Sequence, residues 1–291
     1  MRRMSTRGTA GLALGLLCGA LVALAGGGGP AAAATLIRSC PYTILAPGTY
    51  VLARDLTCPG PAAITVTADG VRLVLGGRTL TGDGGGDGIV VAGSVDDPVT
   101  GLRIFSGTVT GFDDGLVLGS APGARVSGVK ATGSADDGFA IRNSPGTRLV
   151  ANTTTRNGGD GIDVGGCDGC RIIGNRVVEN GDTGIEVESL TGARIAANTV
   201  TGNGDDGIDL QGAEADGNRI RGNRTIGNGD NGIVVDAGST GNRFEGNRAT
   251  GNPGLDFEDV NLPASPCPNV WRGNAFTTDN EGDGPGAGCI R

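Results

Sequence analysis

Between residues 116 and 235 apolar side chains come in pairs with one residue between them, and each pair follows a glycine. The pairs are Leu116/Leu118 after Gly115, Ile162/Val164 after Gly161, Ile185/Val187 after Gly184, Ile208/Leu210 after Gly207 and Ile233/Val235 after Gly232. A period of two puts each pair on one face of a strand and turns the residues two and four past the glycine to the other. Ahead of the glycines stands an acidic corner: Asp113/Asp114, Asp136/Asp137, Asp160, Asp182, Asp205/Asp206 and Asp230. With Gly138 included, the glycines are spaced by 23, 23, 23, 23 and 25 residues. A fixed period of this length predicts a solenoid, in which no unit buries its own apolar face and each stacks on the next.

Aligning the units exposes further columns. An arginine followed by an apolar residue opens them: Arg125, Arg148, Arg171, Arg194, Arg219 and Arg243. Four residues later comes an asparagine column, Asn152, Asn175, Asn198, Asn223 and Asn247, continued by Asn274. A second follows, Asn157, Asn180, Asn203, Asn228 and Asn252, with Asn280 one residue late. Stacked asparagines predict amide ladders that satisfy buried polar groups at the bends. The Asn-Gly pairs at 157, 180, 203 and 228 are expected to supply the positive φ of tight corners. Short β-rich pieces between such corners predict strand-turn-strand with no room for a helix. A leucine-rich horseshoe has a similar period but needs a leucine framework that this β-branched repeat lacks.

These columns, with the recurring Asn…Gly-Ile coil, resemble the secreted right-handed parallel β-helix proteins of the pectin-lyase-like fold superfamily, over residues 43–280. The resemblance implies an all-β, right-handed parallel β-helix of about nine coils of roughly 23 residues with disulfide-stapled ends, about 40–45 Å long at 4.8 Å per coil. The residues themselves divide the chain into a signal peptide (1–34), an N-terminal cap with the first coils (35–91), regular repeats (92–261) and a last turn with a C-terminal cap (262–291). Family members include polysaccharide lyases, glycoside hydrolases, uronan epimerases, tailspikes and proteins of no known reaction, so activity has to be argued from a site.

Composition narrows the classes. Arg2, Arg3 and Arg7, an apolar run from Gly11 to Ala25 and small residues at Ala32, Ala33 and Ala34 predict a cleaved signal peptide. A secreted, extracellular protein follows, with no membrane association after signal removal, and a monomer is expected. Losing the three arginines takes the net charge from −8 to −11, which argues against nucleic acid as partner. Without Cys18 six cysteines remain, and in an exported chain they predict disulfides. Their positions suggest Cys40–Cys58, Cys167–Cys170 and Cys267–Cys289. A redox pair or zinc at Cys167 and Cys170 is the alternative, but with no histidine zinc lacks further ligands.

Chemistry can sit only on outward positions. Two residues past the glycine, three adjacent coils carry Asp163, Glu186 and Asp209. Stacked about 4.8 Å apart, like charges repel and need a reason. Three readings stand: a solvated edge with turn-capping aspartates, a Ca²⁺ site formed by Asp163, Glu186 and Asp209, or a catalytic carboxylate pair at glycosidase separation. Calcium-dependent pectate lyases on this fold pair acid-bound Ca²⁺ with an arginine base, for which Arg142 is the nearest candidate. Alginate lyases, uronan epimerases and polygalacturonase-type hydrolases rely on histidine, which is absent. Copper-site maturation proteins also use β-helices, but Met1 and Met4 leave with the signal, so soft-metal binding is not expected. Regular coils and only nine aromatic residues favour a binding or structural solenoid contacting extracellular polysaccharide. The alternative is a Ca²⁺-dependent polysaccharide lyase, less readily a glycoside hydrolase, using Asp163, Glu186, Asp209 and Arg142.

Overall fold

The structure, a computed structural model, describes residues 33–263, 265–282 and 288–291. The expected signal peptide lies outside them except for Ala33 and Ala34. Among the described residues there are strands and no helix. All pairings are parallel, in an 18-stranded and a 10-stranded sheet. A regular coil contributes three short strands: a first face opened by arginine (Arg171–Ile173), a second after the asparagine (Arg176–Val178) and a third after the glycine (Ile185–Glu188). The first and second faces merge into one sheet because Arg103–Thr110 and Arg125–Thr132 run through the corner between them. The third face alone forms the ten-stranded sheet, from Tyr42–Ile44 to Phe257–Asp259, and so counts about ten turns. The parallel β-helix expected from the repeat is the fold observed.

The alternation of apolar and polar positions decides what is inside. On the third face Ile162, Val164, Ile185, Val187, Ile208 and Leu210 are fully buried, and coil pairs with coil without slippage, Ile162 on Ile185 and Ile185 on Ile208. A one-residue slip would turn every one of them outward, so burial itself holds the register. At the C-terminal end the interior closes on aromatic rings: Trp271 stacks on Phe244 at 3.8 Å, Phe257 leans on both Trp271 and Phe276, and Trp271 Nε1 donates to buried Asp259 at 3.2 Å. The three expected disulfides form, Cys40–Cys58 and Cys267–Cys289 towards the two ends and Cys167–Cys170 within one coil.

Both asparagine ladders are present. In the first, Asn152, Asn175, Asn198, Asn223, Asn247 and Asn274 each pass an amide N–H to the next side-chain oxygen at 3.0–3.1 Å. The second runs from Asn157 to Asn252 at 2.8–3.2 Å and ends when Asn252 donates to Asp256. Asn280 does not continue it; it brackets Asp259, accepting from its N–H and donating to its carbonyl. A third, shorter file, Asn218, Asn242 and Asn269, sits just ahead of the first face and caps backbone N–H groups.

One local expectation is corrected. The glycines after the second asparagines do not supply the positive φ. That conformation falls on the residue before the asparagine: Arg156 at 58°, Glu179 at 56°, Gly202 at 68° and Gly227 at 60°. Gly158, Gly181, Gly204 and Gly229 are instead required by close approach, since a Cβ on any of them would lie 2.0–2.1 Å from a carbonyl oxygen of the coil below. The glycine makes room for stacked backbone rather than for a left-handed turn.

Replacing Asn198 by Ala should destabilise the protein by about 2–4 kcal/mol, because it strands the Asn175 donors and the Ile172 carbonyl in a dry interior. Denaturant unfolding of the variant against wild type measures this.

Candidate functional site

The third face carries its outward charges because the Gly-Ile-Asp-Val strand buries its first and third apolar residues and leaves the second position to point away. Pairing places Ala140, Asp163, Glu186, Asp209 and Val234 in direct succession. Two positions on, Arg142, Gly165, Glu188 and Gln211 form a parallel row. Arg142 Nη2 donates to Asp163 Oδ2 in the next coil. A Cβ at Gly165 would lie 3.7 Å from Arg142 Cδ and 3.4 Å from Glu188 Oε2, ordinary contact distances, so the position between them is lined by both side chains. Burial works against the charge of Arg142, but Asp163, Asp137 and Glu188 outweigh it and its pKa rises.

The acidic corner is a capping column with one break. Asp114 Oδ1 accepts the Asp137 N–H at 2.9 Å, Asp137 Oδ1 that of Asp160 at 2.8 Å, Asp206 Oδ1 that of Asn231 at 2.7 Å and Asn231 Oδ1 that of Leu255 at 2.8 Å. Asp160 should cap Thr183, but its Oδ1 is buried without a hydrogen-bond partner, in a residue only 8% exposed. Freed from capping, the Asp160 carboxylate converges with those of Asp163 and Glu186, oxygens within 4.8 Å of one another.

The predicted trio is thus brought together in part. Asp163 and Glu186 meet, and Asp160 takes the place foreseen for Asp209. Asp209 remains stacked on Glu186, with its Oδ1 also buried and unpartnered. Sequence reasoning named Asp160 among the corner acids but not as a site residue. No position in the sequence signals this, because the group that Asp160 leaves uncapped is a main-chain N–H, which any residue but proline would supply at 183. A second convergent set, Asp205, Asp206 and Asp230, has its Asp206 Oδ1 engaged in capping.

Electrostatics follow from this crowding. Ionising two carboxylates 4.8 Å apart costs about 3.5 kcal/mol at an effective dielectric of about 20. Burial first, then Glu186, Asp137 and Asp163, push the Asp160 carboxyl up to about 8. Burial and then Asp236, Asp206 and Glu186 push Asp209 up to about 8. Burial and Asp163 raise Glu186, while Arg142 pulls it the other way. Three acids against one arginine leave an excess of negative charge that a proton or a hard cation would relieve. Beyond the Arg142 end of these strands, the longer stretch near residues 92–100 walls a concavity of about 320 Å³ with Val95, Pro98, Ser120, Pro122 and Pro145.

With fold and site in view, comparison with known proteins becomes informative. Residues 71–280, more than half of the chain, match the family described as periplasmic copper-binding protein (NosD). The chain belongs to the NosD family. Membership of a periplasmic family makes it an exported protein. Among solved structures it is similar to the Dettilon tailspike protein gp208 (TM-score 0.59, 16% identity, 84% of this chain and 60% of that chain). It is also similar to the periplasmic alginate epimerase AlgG (TM-score 0.52, 17% identity, 73% of this chain and 64% of that chain). At these identities the likeness shows the parallel β-helix fold, and the chain spans under two thirds of either neighbour. A comparison with curated proteins matches nothing.

The copper in the NosD description was tested against the donor set. Copper sites draw on imidazole, thioether and thiolate. This chain has no histidine, Met1, Met4 and Cys18 lie outside the described residues, and its other six cysteines are joined in disulfides. The residues present do not fit copper; the convergent oxygens of Asp160, Asp163 and Glu186 fit a hard cation such as Ca²⁺.

With a chelator present, the unfolding temperature should fall as pH rises from about 4 to about 8. Folded Asp160 and Asp209 hold their protons up to about 8, whereas an unfolded aspartate releases its proton near about 3.9. Between these limits the folded state binds more protons, so each rise in pH removes stability. Asp160→Asn with Asp209→Asn should make the fall shallower, most of all between about 7 and about 8, while Asp114, Asp137 and Asp206, raised to about 6, 7 and 6, keep part of it at lower pH; thermal melts across this range would record the change.

Proposed function

We propose that this NosD-family chain is an exported, non-catalytic solenoid that contacts carbohydrate beyond the cytoplasmic membrane along its third face, through a hard divalent cation such as Ca²⁺. Asp160, Asp163 and Glu186 hold the cation, and Asp209 extends the negative row beside it. The observation that carries this reading is the convergence of three carboxylates with Asp160 Oδ1 buried and unpartnered. Ca²⁺ takes six to eight oxygen ligands, so three side chains leave positions for the carboxylate or hydroxyls of a sugar. The alginate epimerase among the fold neighbours motivates acidic polysaccharides as the first partners to test. The disulfides suit an oxidising compartment beyond the cytoplasmic membrane.

The competing reading is a Ca²⁺-dependent polysaccharide lyase with Arg142 as base. Two observations weigh against it. Arg142 is bound to Asp163 and its pKa is raised, so withdrawing its proton is harder than in an isolated arginine. Four concavities of about 320–430 Å³ have none of Asp160, Asp163 and Glu186 in their walls, and a catalytic site needs a surface that encloses its substrate.

Calorimetric titration with Ca²⁺ should give saturable binding that Asp160→Asn weakens about tenfold or more. On a glycan panel, Ca²⁺ should add binding to acidic polysaccharides that chelator removes, with no new reducing ends and no unsaturated products. Absence of any Ca²⁺ binding would discard the cation site, and turnover of a polysaccharide would replace the proposal with the lyase.

A further inference from the structure

The same stacking that lines up carboxylates on the third face lines up arginines on the first. The six arginines that open the regular coils lie in direct register from Arg125 to Arg243. Arg103 and Arg72 extend the file by two coils towards the N-terminus. Eight cations at one per coil span about 34 Å of straight surface at 4.8 Å spacing. This happens in a chain whose overall charge is −8.

Little within the protein neutralises the file. Among the described residues there are three ion pairs, and only one uses a member of it, Arg243 with Glu245 on the same strand at 3.1 Å. Arg72 rests over the Phe105 ring at 4.3 Å. Arg103, Arg125, Arg171, Arg194 and Arg219 are exposed, and Arg148 is half-buried. Like charges directly opposite one another in a sheet destabilise it, so the file is a standing cost unless an anion lies along it. The surface offers such an anion a bed. Two concavities, of about 370 and 430 Å³, open along the file and share Arg194 and Arg219. One is walled on its far side by the turn glycines Gly169, Gly192 and Gly217, which have nothing within 4 Å of where a Cβ would be.

We infer that the first face is a binding track for a linear acidic polysaccharide, one acidic group to each coil, gripped by the arginine file. The track is separate from the third-face cation site and does not depend on that reading. Guanidinium forks suit carboxylate and sulfate, which they bind with paired N–H donors. Duplex nucleic acid presents one charge per about 1.7 Å along a helical path and does not match a straight single file. Single strands are held by aromatic stacking, and the file has one ring beside it, already covered by Arg72.

The test uses the exported full-length protein in chelator, so that the third-face site is silent. Binding of a polyuronate and of a sulfated glycan is measured at low and high salt, with single-stranded DNA and a neutral dextran as further probes. The expected result is binding of at least one acidic polysaccharide in chelator that salt weakens. Arg171→Gln/Arg194→Gln/Arg219→Gln should weaken it about tenfold or more with an unchanged or raised melting temperature. The single variant Arg194→Gln should lower the salt dependence even if the triple variant folds poorly. Asp160→Asn should leave this binding intact, which separates the track from the cation site. No binding of acidic polysaccharide in chelator, wild-type affinity in Arg194→Gln and the triple variant, or tighter binding of single-stranded DNA would each overturn the inference.

Discussion

The bond from one asparagine amide to the next, repeated coil after coil, is the constraint on which the rest of this molecule depends. It closes only when identical positions sit one above another, so it demands the same register that burial of the Ile and Val pairs demands. The backbones then come so close that glycine is required at the corner, as at Gly181, where a Cβ would meet Gly158 O at 2.1 Å. Amide ladder, apolar interior and glycine corner specify one arrangement three times over. That agreement between local and global preference is what gives a sequence a single fold.

Strict register has a consequence for charge. Any ionisable residue written into the repeat is copied into a file of like charges about 4.8 Å apart. The chain carries two such files on different faces, and it treats them differently. On the third face the acids are partly buried and crowded, one arginine is drawn across to Asp163, and the protons of Asp160 and Asp209 are retained up to about 8. On the first face the arginines stay charged, exposed and nearly without acidic partners. A guanidinium cannot shed its charge as a carboxyl can take up a proton, so relief on that face has to come from outside the molecule.

How much of this is legible in the sequence depends on whether a feature is periodic. The columns of Asn198, Gly207, Ile208 and Leu210 announce themselves by repetition, and the coil, the ladders and the inward rows follow from them. What escapes is the exception. Asp160 reads as one more corner acid, and only the structure shows its Oδ1 buried without a partner. Asn280 reads as a late rung, whereas Asn252 ends the ladder on Asp256 and Asn280 holds Asp259. Glycine is the usual bearer of a positive φ, so the sequence points to the glycine of each Asn-Gly corner. At Arg156 and Glu179 the ladder bonds on the following asparagine hold a non-glycine residue there instead.

Family and chemistry part company for the same physical reason. The match to the NosD family spans residues 71–280, and the inward and corner positions of that stretch are the ones that build the coil. Those positions say nothing about the outward ones, where copper would need imidazole or sulfur and this chain places carboxylate and guanidinium. A solenoid makes this separation unusually clean, because each outward side chain can change without disturbing the ladder beneath it. Asp160 is the informative residue in that light. It belongs by position to the structural column, yet its oxygen is withdrawn from capping and turned towards Asp163 and Glu186. A buried acceptor left without a donor costs about 1–3 kcal/mol, and a repeat that elsewhere satisfies this column has the means to avoid that cost. The coil itself gives no reason for an aspartate at 160 that caps nothing, which is why the proposed cation site is centred on it.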